Sequence, residues 1–362
     1  MPILLDLFSG CGGLTLGSHN AGYRTALAID IDPVLSSTFS KNFPDTPFLL
    51  ADLALLSKAE LSTRIPFEVD GVVGGPPCQA FSTMGRRLLD DPRRSLIGHF
   101  FRIVAEANPA FFMMENVPGL TLPANMPLLE AGLACLSSDW VVLPPTLLDA
   151  SNYGAPTKRR RIFVFGFNKK KMNVPSLDQV IKTEAVRVCV RDAIVDLADS
   201  IPVEMQPGVW QYVSGPGSAY ARAMRTTDNL FTSNQRTAHK AETILRFSTV
   251  RPGEIDQVGK HKRLEWTGLC PTLRAGTGND RGSYQSVRPL HPDEDRVITP
   301  REASRLQGFP DRFIFHPTVW HSFRMIGNSV SPIIAEALLR NIKPYLASKD
   351  YPPAHRTTQE QA

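Results

Sequence analysis

No stretch of this sequence approaches the roughly 20 consecutive apolar residues that a bilayer-crossing helix requires. No positively charged leader precedes the short apolar run in MPILLDLFSG either, so secretion and membrane spanning are disfavoured and an intracellular, cytoplasmic protein is expected. Cysteine is sparse. The five present (Cys11, Cys78, Cys135, Cys189 and Cys270) include no CxxC pair, which argues against a disulfide framework or a zinc site and leaves free thiols and no metal as the expectation. No internal repeat is found, which disfavours solenoids and propellers. A third glycine is missing too: Gly10-x-Gly12 is followed by Thr15, so the dinucleotide fingerprint is incomplete and an NAD oxidoreductase is disfavoured.

What is present is a chain of 362 residues, 42% apolar, long enough for about two domains with ordinary buried cores. The net charge is only +5, but its placement is uneven. Residues 168–292 hold 18 Lys and Arg against 12 Asp and Glu, while the remainder holds 22 against 23. A positive surplus confined to one internal segment is expected where that segment meets phosphates.

The first third alternates apolar runs with turn signals and amphipathic stretches, the rhythm of parallel strands joined by helices. ILLDLF, TALAID, DGVVGG, AFFMMEN and RIFVFGF read as strands; LTLGSHNAGY, PVLSSTFSKNF and SLIGHFFRIVAEANP have helical spacing. The fold class is therefore α/β, a doubly wound Rossmann-like sheet. From about 168 to 295 Pro, Gly and isolated aromatics break the pattern into short irregular pieces. Helical pattern returns in TPREASRLQGF and SVSPIIAEALLRNIKPYL, and YPPAHRTTQEQA reads as a polar tail.

Two stretches carry chemistry. DLFSGCGGLTLG follows a strand and opens a helix, so its glycines let the backbone approach a nucleotide-like ligand. Asp30, at the next strand end, is placed to accept from ribose hydroxyls, and Asp52, after a further strand-like run, from an adenine amino group. In GGPPCQAFS, Gly74, Gly75, Pro76 and Pro77 make a rigid loop in which Cys78 is held rather than packed away.

DLFSGCGG, AIDID, GGPPCQAFS, ENV at 115–117, NYGAPTKRRRIFVFG, RVITPREASRLQGFPD and GNSVSP stand in a fixed order. That series resembles the motifs of DNA (cytosine-5) methyltransferases of prokaryotic type, from residue 3 to about 343, sparing only the segment near 170–290. The resemblance implies S-adenosyl-L-methionine as cofactor and a methyltransferase fold with a smaller, irregular target-recognition domain. It divides the chain into a catalytic and cofactor-binding domain at 1–167, a target-recognition domain at 168–295, a linking motif at 296–316, a C-terminal helical region at 317–347 that completes the catalytic domain, and a tail at 348–362.

It further implies a cofactor site of Phe8, Gly10, Gly12, Gly13, Leu14, Asp30, Ile31, Asp52, Pro76, Asn328 and Val330, and a catalytic set of Cys78, Glu115, Arg159 and Arg161. A cysteine thiolate attacks C6 of a flipped-out cytosine and activates C5 toward a methyl group; Glu115 hydrogen-bonds N3 and the exocyclic amine, while the two arginines hold O2 and nearby phosphate and Arg160 points elsewhere. Gln79, Ser82, Arg86, Arg87, Arg93 and Arg94 are expected on DNA from a closing loop, with Thr272 and Leu273 positioning the recognition segment on the DNA backbone. Asp30 stands where many members have Glu, and Thr157 where Gln is more frequent.

The partners implied are double-stranded DNA and a cognate restriction endonuclease sharing the site, with no obligate protein partner, no membrane and a monomeric, nucleoid-associated enzyme; a solitary methylase is the other possibility. Two alternatives stay open. A silent DNA-binding homologue is expected to have lost part of the catalytic set, and an RNA-modifying relative to carry Cys-Phe-Thr where this chain has Cys270-Pro271-Thr272.

Overall fold

Apolar runs bounded by turn residues become strands buried on both faces of a parallel sheet. The computed structural model describes residues 1–77, 96–275 and 288–347. Cys78, Gln79, Ser82, Arg86, Arg87, Arg93 and Arg94 therefore lie outside the described residues, as does the tail from 348 onward. The chain divides into two compact units, the first made of Met1–Leu148, Arg160–Thr183 and the chain from Ala335 onward.

The strands up to residue 168 are β1 (Ile3–Leu7), β2 (Arg24–Asp30), β3 (Phe48–Leu50), β4 (Gly71–Gly74), β5 (Phe111–Asn116), β6 (Trp140–Val142), β7 (Thr146–Asp149), β8 (Thr157–Lys158) and β9 (Arg160–Asn168). The main sheet runs β3-β2-β1-β4-β5-β9-β6, with β7 also paired to β9. β1 to β5 are mutually parallel, whereas β9 is antiparallel to both β5 and β6. RIFVFGF is expected among the parallel strands and runs the other way. The chain passes from β6 to β9 through β7, a 3-10 turn and β8, and re-enters the sheet between β5 and β6, antiparallel to both.

The helices of this unit are α1 (Gly13–Asn20), α2 (Phe39–Asn42), α3 (Lys58–Arg64), α4 (Leu96–Ala107), α5 (Met126–Leu133) and α6 (Leu177–Ile181). PVLSSTFSKNF yields only the single turn α2. The Asp32 carboxylate accepts from the Val34 and Leu35 N–H groups, and the Ser36 and Ser37 hydroxyls donate to the Asp32 and Val34 carbonyls, so side chains take up backbone groups a helix would have used. In the core, Phe100 and Phe101 of α4 meet Phe112 of β5 edge-on, with centroids 6.2 and 5.3 Å apart. Gly166 on β9 must be glycine, since a Cβ there would come within 2.0 Å of Phe112 Cε1. The chain's last described segment closes over the turn after α1: the Tyr23 hydroxyl donates to the Leu339 carbonyl at 3.0 Å and Lys343 Nζ to that of Ala21 at 3.1 Å.

The second unit comprises Asp149–Arg159 and Glu184–Ile334. Packing thus groups 149–159 and 296–334 with the irregular segment, whereas the motif series groups them by role. Its elements are α7 (Val190–Ile194), β10 (Ile201–Pro202), β11 (Val209–Gln211), α8 (Ala219–Met224), β12 (Leu230–Thr232), α9 (Ala241–Ser248), β13 (Cys270–Pro271), α10 (Pro300–Gln307) and α11 (Val319–Asn328), with α12 (Pro332–Ile342) beginning in it. β10, β11 and β12 form a small antiparallel sheet. α10 starts at a Thr299/Glu302 capping box with Pro300 in its first turn, and stops at Gly308, φ 97°. All eight of its residues are buried. Its Arg305 pairs with Asp196 and Asp311, each at 2.6 Å, which offsets the cost of taking a guanidinium out of water.

Candidate active site

The parallel strands β1 to β5 bring their C-terminal ends to one edge of the sheet, where ligands of doubly wound folds bind. Leu7 stands opposite both Ile29 and Gly74, and Gly74 opposite Met114, so the residues that follow β1, β2, β4 and β5 lie along that edge. After β1 the backbone turns through left-handed conformations at Phe8 (φ 58°), Gly10 (φ 53°) and Gly12 (φ 97°). A Cβ on Gly12 would come within 2.2 Å of Phe43 Cε2, while one on Gly10 would meet nothing within 4 Å, so Gly10 borders open space. Gly13 and Leu14 open α1 and are buried.

Asp30 ends β2 with its carboxylate accepting from the Gly10 N–H at 2.7 Å and the Asp32 N–H at 2.8 Å. Burial raises its pKa, and those two N–H groups act against the rise. Ile31 beside it is 60% exposed, an apolar side chain left at the edge. Asp52, two residues after β3, accepts from the Ala54 N–H at 2.8 Å and sits near Asp30 because the Ala51 N–H donates to the Asp30 carbonyl. Beneath the glycine loop, the Thr15 hydroxyl donates to the buried Asp6 carboxyl at 2.6 Å. Burial pushes Asp6 up to about 7, opposed by the Thr15 bond and aided by the charge on Asp30. Thr15, where a dinucleotide fingerprint has glycine, thus ties β1 to α1.

At the other end of the edge, Glu115 is the penultimate residue of β5 and Arg161 is the second residue of the antiparallel β9 beside it. Arg161 Nε lies 3.0 Å from Glu115 Oε1, with both side chains largely buried. Arg160 points to solvent, as alternation along the strand dictates. The Asn116 side-chain amide donates to the Pro76 carbonyl at 3.2 Å, and its own oxygen accepts from the Val117 N–H at 2.9 Å. A Cβ on Gly75 would stand 3.4 Å from Glu115 Oε2. The backbone leading toward position 78 is therefore pinned next to the Glu115–Arg161 pair.

In the second unit, Arg159 is 2% exposed and its Nη atoms donate to the carbonyls of Leu273, Gly327 and Ser329 at 3.4, 3.1 and 2.7 Å. Thr157 is fully buried and donates to the Cys270 carbonyl at 3.1 Å, locking β8 to β13. Thr272 donates to the Lys158 carbonyl at 2.6 Å, and the Leu273 side chain is buried. Asn328 ends α11, exposed, and Val330 is buried just beyond it.

The profile of the C-5 cytosine-specific DNA methylases matches residues 3–344 of this chain. The chain belongs to that family. Among its relatives, Type II methyltransferase M.XorII of Xanthomonas oryzae pv. oryzae is 37% identical over 377 residues, spanning 98% of this chain and 87% of the relative. Type II methyltransferase M.DdeI of Desulfomicrobium norvegicum is 30% identical over 94% of this chain and 88% of its own length. A crystal structure assigned to a DNA modification methyltransferase encoded within an E. coli prophage superposes with a TM-score of 0.83 at 35% identity, covering 95% of this chain and 99% of that one.

The chain is accordingly a C-5 cytosine DNA methyltransferase, with relatives of the type II restriction-modification kind. Among the described residues of this methylase, no helix is long and apolar enough to cross a membrane and no group of three or more His, Cys, Asp or Glu can hold a metal ion. Sequence reading missed Asn116. It stands inside the ENV triplet, but its bond to Pro76, 40 residues away, has no local signature.

Proposed function

We propose that the methylase modifies C5 of a cytosine flipped out of a specific double-stranded DNA sequence, with Cys78 as nucleophile, S-adenosyl-L-methionine as methyl donor and residues 168–295 as the target-recognition domain. The observation that carries this reading is the Glu115–Arg161 pair beside the tethered Pro76 carbonyl, at the sheet edge that also holds the glycine loop. The thiolate bonds to C6 and displaces the C5–C6 π electrons toward C5, making that carbon nucleophilic. Glu115 gives N3 a proton as negative charge develops on the ring and accepts from the exocyclic amine; Arg161 holds O2 and favours the thiolate. Once C5 carries the methyl group, a solvent base takes the C5 proton, the C5–H electrons re-form the C5–C6 double bond, the C6–S bond breaks to release the Cys78 thiolate, and N3 returns its proton to Glu115. Arg159 acts in this scheme as a positioning residue, through the three carbonyls it binds.

The residues of the first unit fit the cofactor. Gly10 leaves room for it, Asp30 retains acceptor capacity beyond the two N–H groups it binds, Ile31 offers an exposed apolar face, and Phe8 and Asp52 stand along the same edge. When bound, S-adenosyl-L-methionine supplies an electrophilic methyl group on a sulfonium. Asp30→Ala is expected to weaken its binding by about 1.5–3 kcal/mol, the worth of a charge-assisted hydrogen bond, with DNA affinity nearly unchanged. Asp30→Asn, which can still accept from the Gly10 N–H, separates loss of the ribose contact from loss of the loop anchor. Calorimetry with and without DNA measures both; unchanged cofactor affinity in both variants would confine Asp30 to holding the loop.

The enzymatic reading itself is tested by bisulfite sequencing of host DNA after expression. One methylated cytosine within a fixed sequence is expected. That sequence would be the one an accompanying restriction endonuclease cuts. Methylation of RNA with untouched DNA would overturn the reading.

A further inference from the structure

A ribbon in the second unit plays no part in the chemistry above. Ile255 bridges Lys262 in antiparallel fashion, the Asp256 N–H donates to the His261 carbonyl at 2.8 Å, and the Arg263 N–H to that of Glu254 at 2.9 Å. The turn between them is held from inside: the buried Asp256 carboxylate accepts from the Gly259 N–H at 2.5 Å and pairs with Arg246 at 2.9 Å. The base is clamped by Arg263, which donates to the carbonyls of Phe247 (2.7 Å), His291 (3.0 Å) and Glu294 (2.9 Å) and pairs with Asp295. Under it lies a small core of Phe247, Val250, Leu290 and Val297. Such anchoring makes the ribbon stiff.

Its tip faces water with the wrong composition for an idle turn. Val258 is 66% exposed, flanked by exposed Gln257 and Lys260, with exposed Ile255 behind them. From Arg251 to Lys262 the charges not buried are Arg251, Lys260 and Lys262 against Glu254, since Asp256 is buried against Arg246. The exposed surplus is positive, which suits a polyanion better than an apolar protein face. The major groove of B-DNA admits a two-stranded ribbon and offers hydrogen-bonding base edges, thymine methyl groups and phosphates at its rim. An amide, an isopropyl group and an ammonium at one rigid tip match those three features.

We infer that the 255–262 ribbon enters the major groove of the duplex, with Gln257 and Val258 on base edges and Lys260 on a phosphate, and so helps to set which sequence is methylated. This rests on the DNA methyltransferase reading and deepens it. The probes are a duplex carrying the sequence that the wild type methylates, a set with single base-pair changes, and an unrelated duplex.

Gln257→Ala and Val258→Ala are expected to lose about tenfold to hundredfold affinity for the first duplex, to bind the unrelated one about as before, and to relax discrimination at one base pair. Lys260 has φ 57°, a conformation asparagine tolerates, so Lys260→Asn is the cleaner charge removal; it is expected to weaken all duplexes alike and to reduce the salt slope by about one. Because these side chains are exposed, unchanged melting and cofactor binding verify the fold. Wild-type discrimination by both Gln257→Ala and Val258→Ala overturns the inference, as does unchanged affinity and salt slope in Lys260→Asn. So does loss of self-association or of binding to another protein with DNA readout intact. If the wild type methylates no DNA, the enzymatic reading fails first and the inference falls with it.

Discussion

Cys78→Ser is expected to fold, bind cofactor and bind DNA, and yet to lose methyl transfer by about 10³-fold or more. A thiol of pKa about 8.5 is a few per cent thiolate at neutral pH, and cationic neighbours raise that fraction; a serine hydroxyl offers almost no anion to attack C6. Single-turnover transfer to a duplex of the methylated sequence checks the prediction, with gel-shift and calorimetric binding as controls. Cys11→Ser is expected to retain turnover. Cys11 is buried in the glycine loop after β1, and nothing in the chemistry proposed here uses its thiol. Turnover by Cys78→Ser near the wild-type rate would remove the nucleophile from the scheme.

The second large effect is expected for Glu115→Gln, a drop in kcat of about 10² to 10⁴-fold with a small change in KM for DNA. A glutamine amide can still donate to N3 and accept from the exocyclic amine, so recognition of the base survives. It has no proton to transfer as charge builds on the ring. It also replaces the carboxyl group that faces Arg161 Nε at 3.0 Å with a neutral amide, which weakens the pairing of a largely buried guanidinium. A melting curve separates that structural effect from the chemical one. If kcat stayed within a few-fold of wild type, Glu115 would be a structural partner of Arg161 only.

Much of the sheet was legible because burial on both faces writes itself into local sequence: ILLDLF, TALAID, DGVVGG and AFFMMEN each match a strand of the parallel set to within a residue or two. Strand direction was not legible. RIFVFGF carries the same apolar signal whichever way it runs, and the direction of β9 shows only in its pairing with β5, which is not written in local sequence. The glycine loop was readable because left-handed backbone at Gly10 and Gly12 demands glycine.

Arg159 was harder to read. An arginine in KRRR gives no sign that it will be buried with its guanidinium bonded to three backbone carbonyls, one just after β13 and two at the C-terminal end of α11. The same holds for Arg305 and Asp196, paired across 109 residues of sequence. Irregular segments hide most. The ribbon at 255–262 has no periodicity because its stability comes from Asp256 and Arg263 beneath it rather than from an alternating face.

The most direct test of covalent attack by Cys78 uses a duplex in which the target cytosine is replaced by 5-fluorocytosine. Fluorine cannot leave C5 as a proton does, so the wild-type enzyme is expected to stall as a protein–DNA adduct that survives denaturation. Peptide mapping should then place the DNA on the peptide containing PPCQ. Recovery of no adduct from an active enzyme, or an adduct on Cys11, Cys135, Cys189 or Cys270, would contradict it.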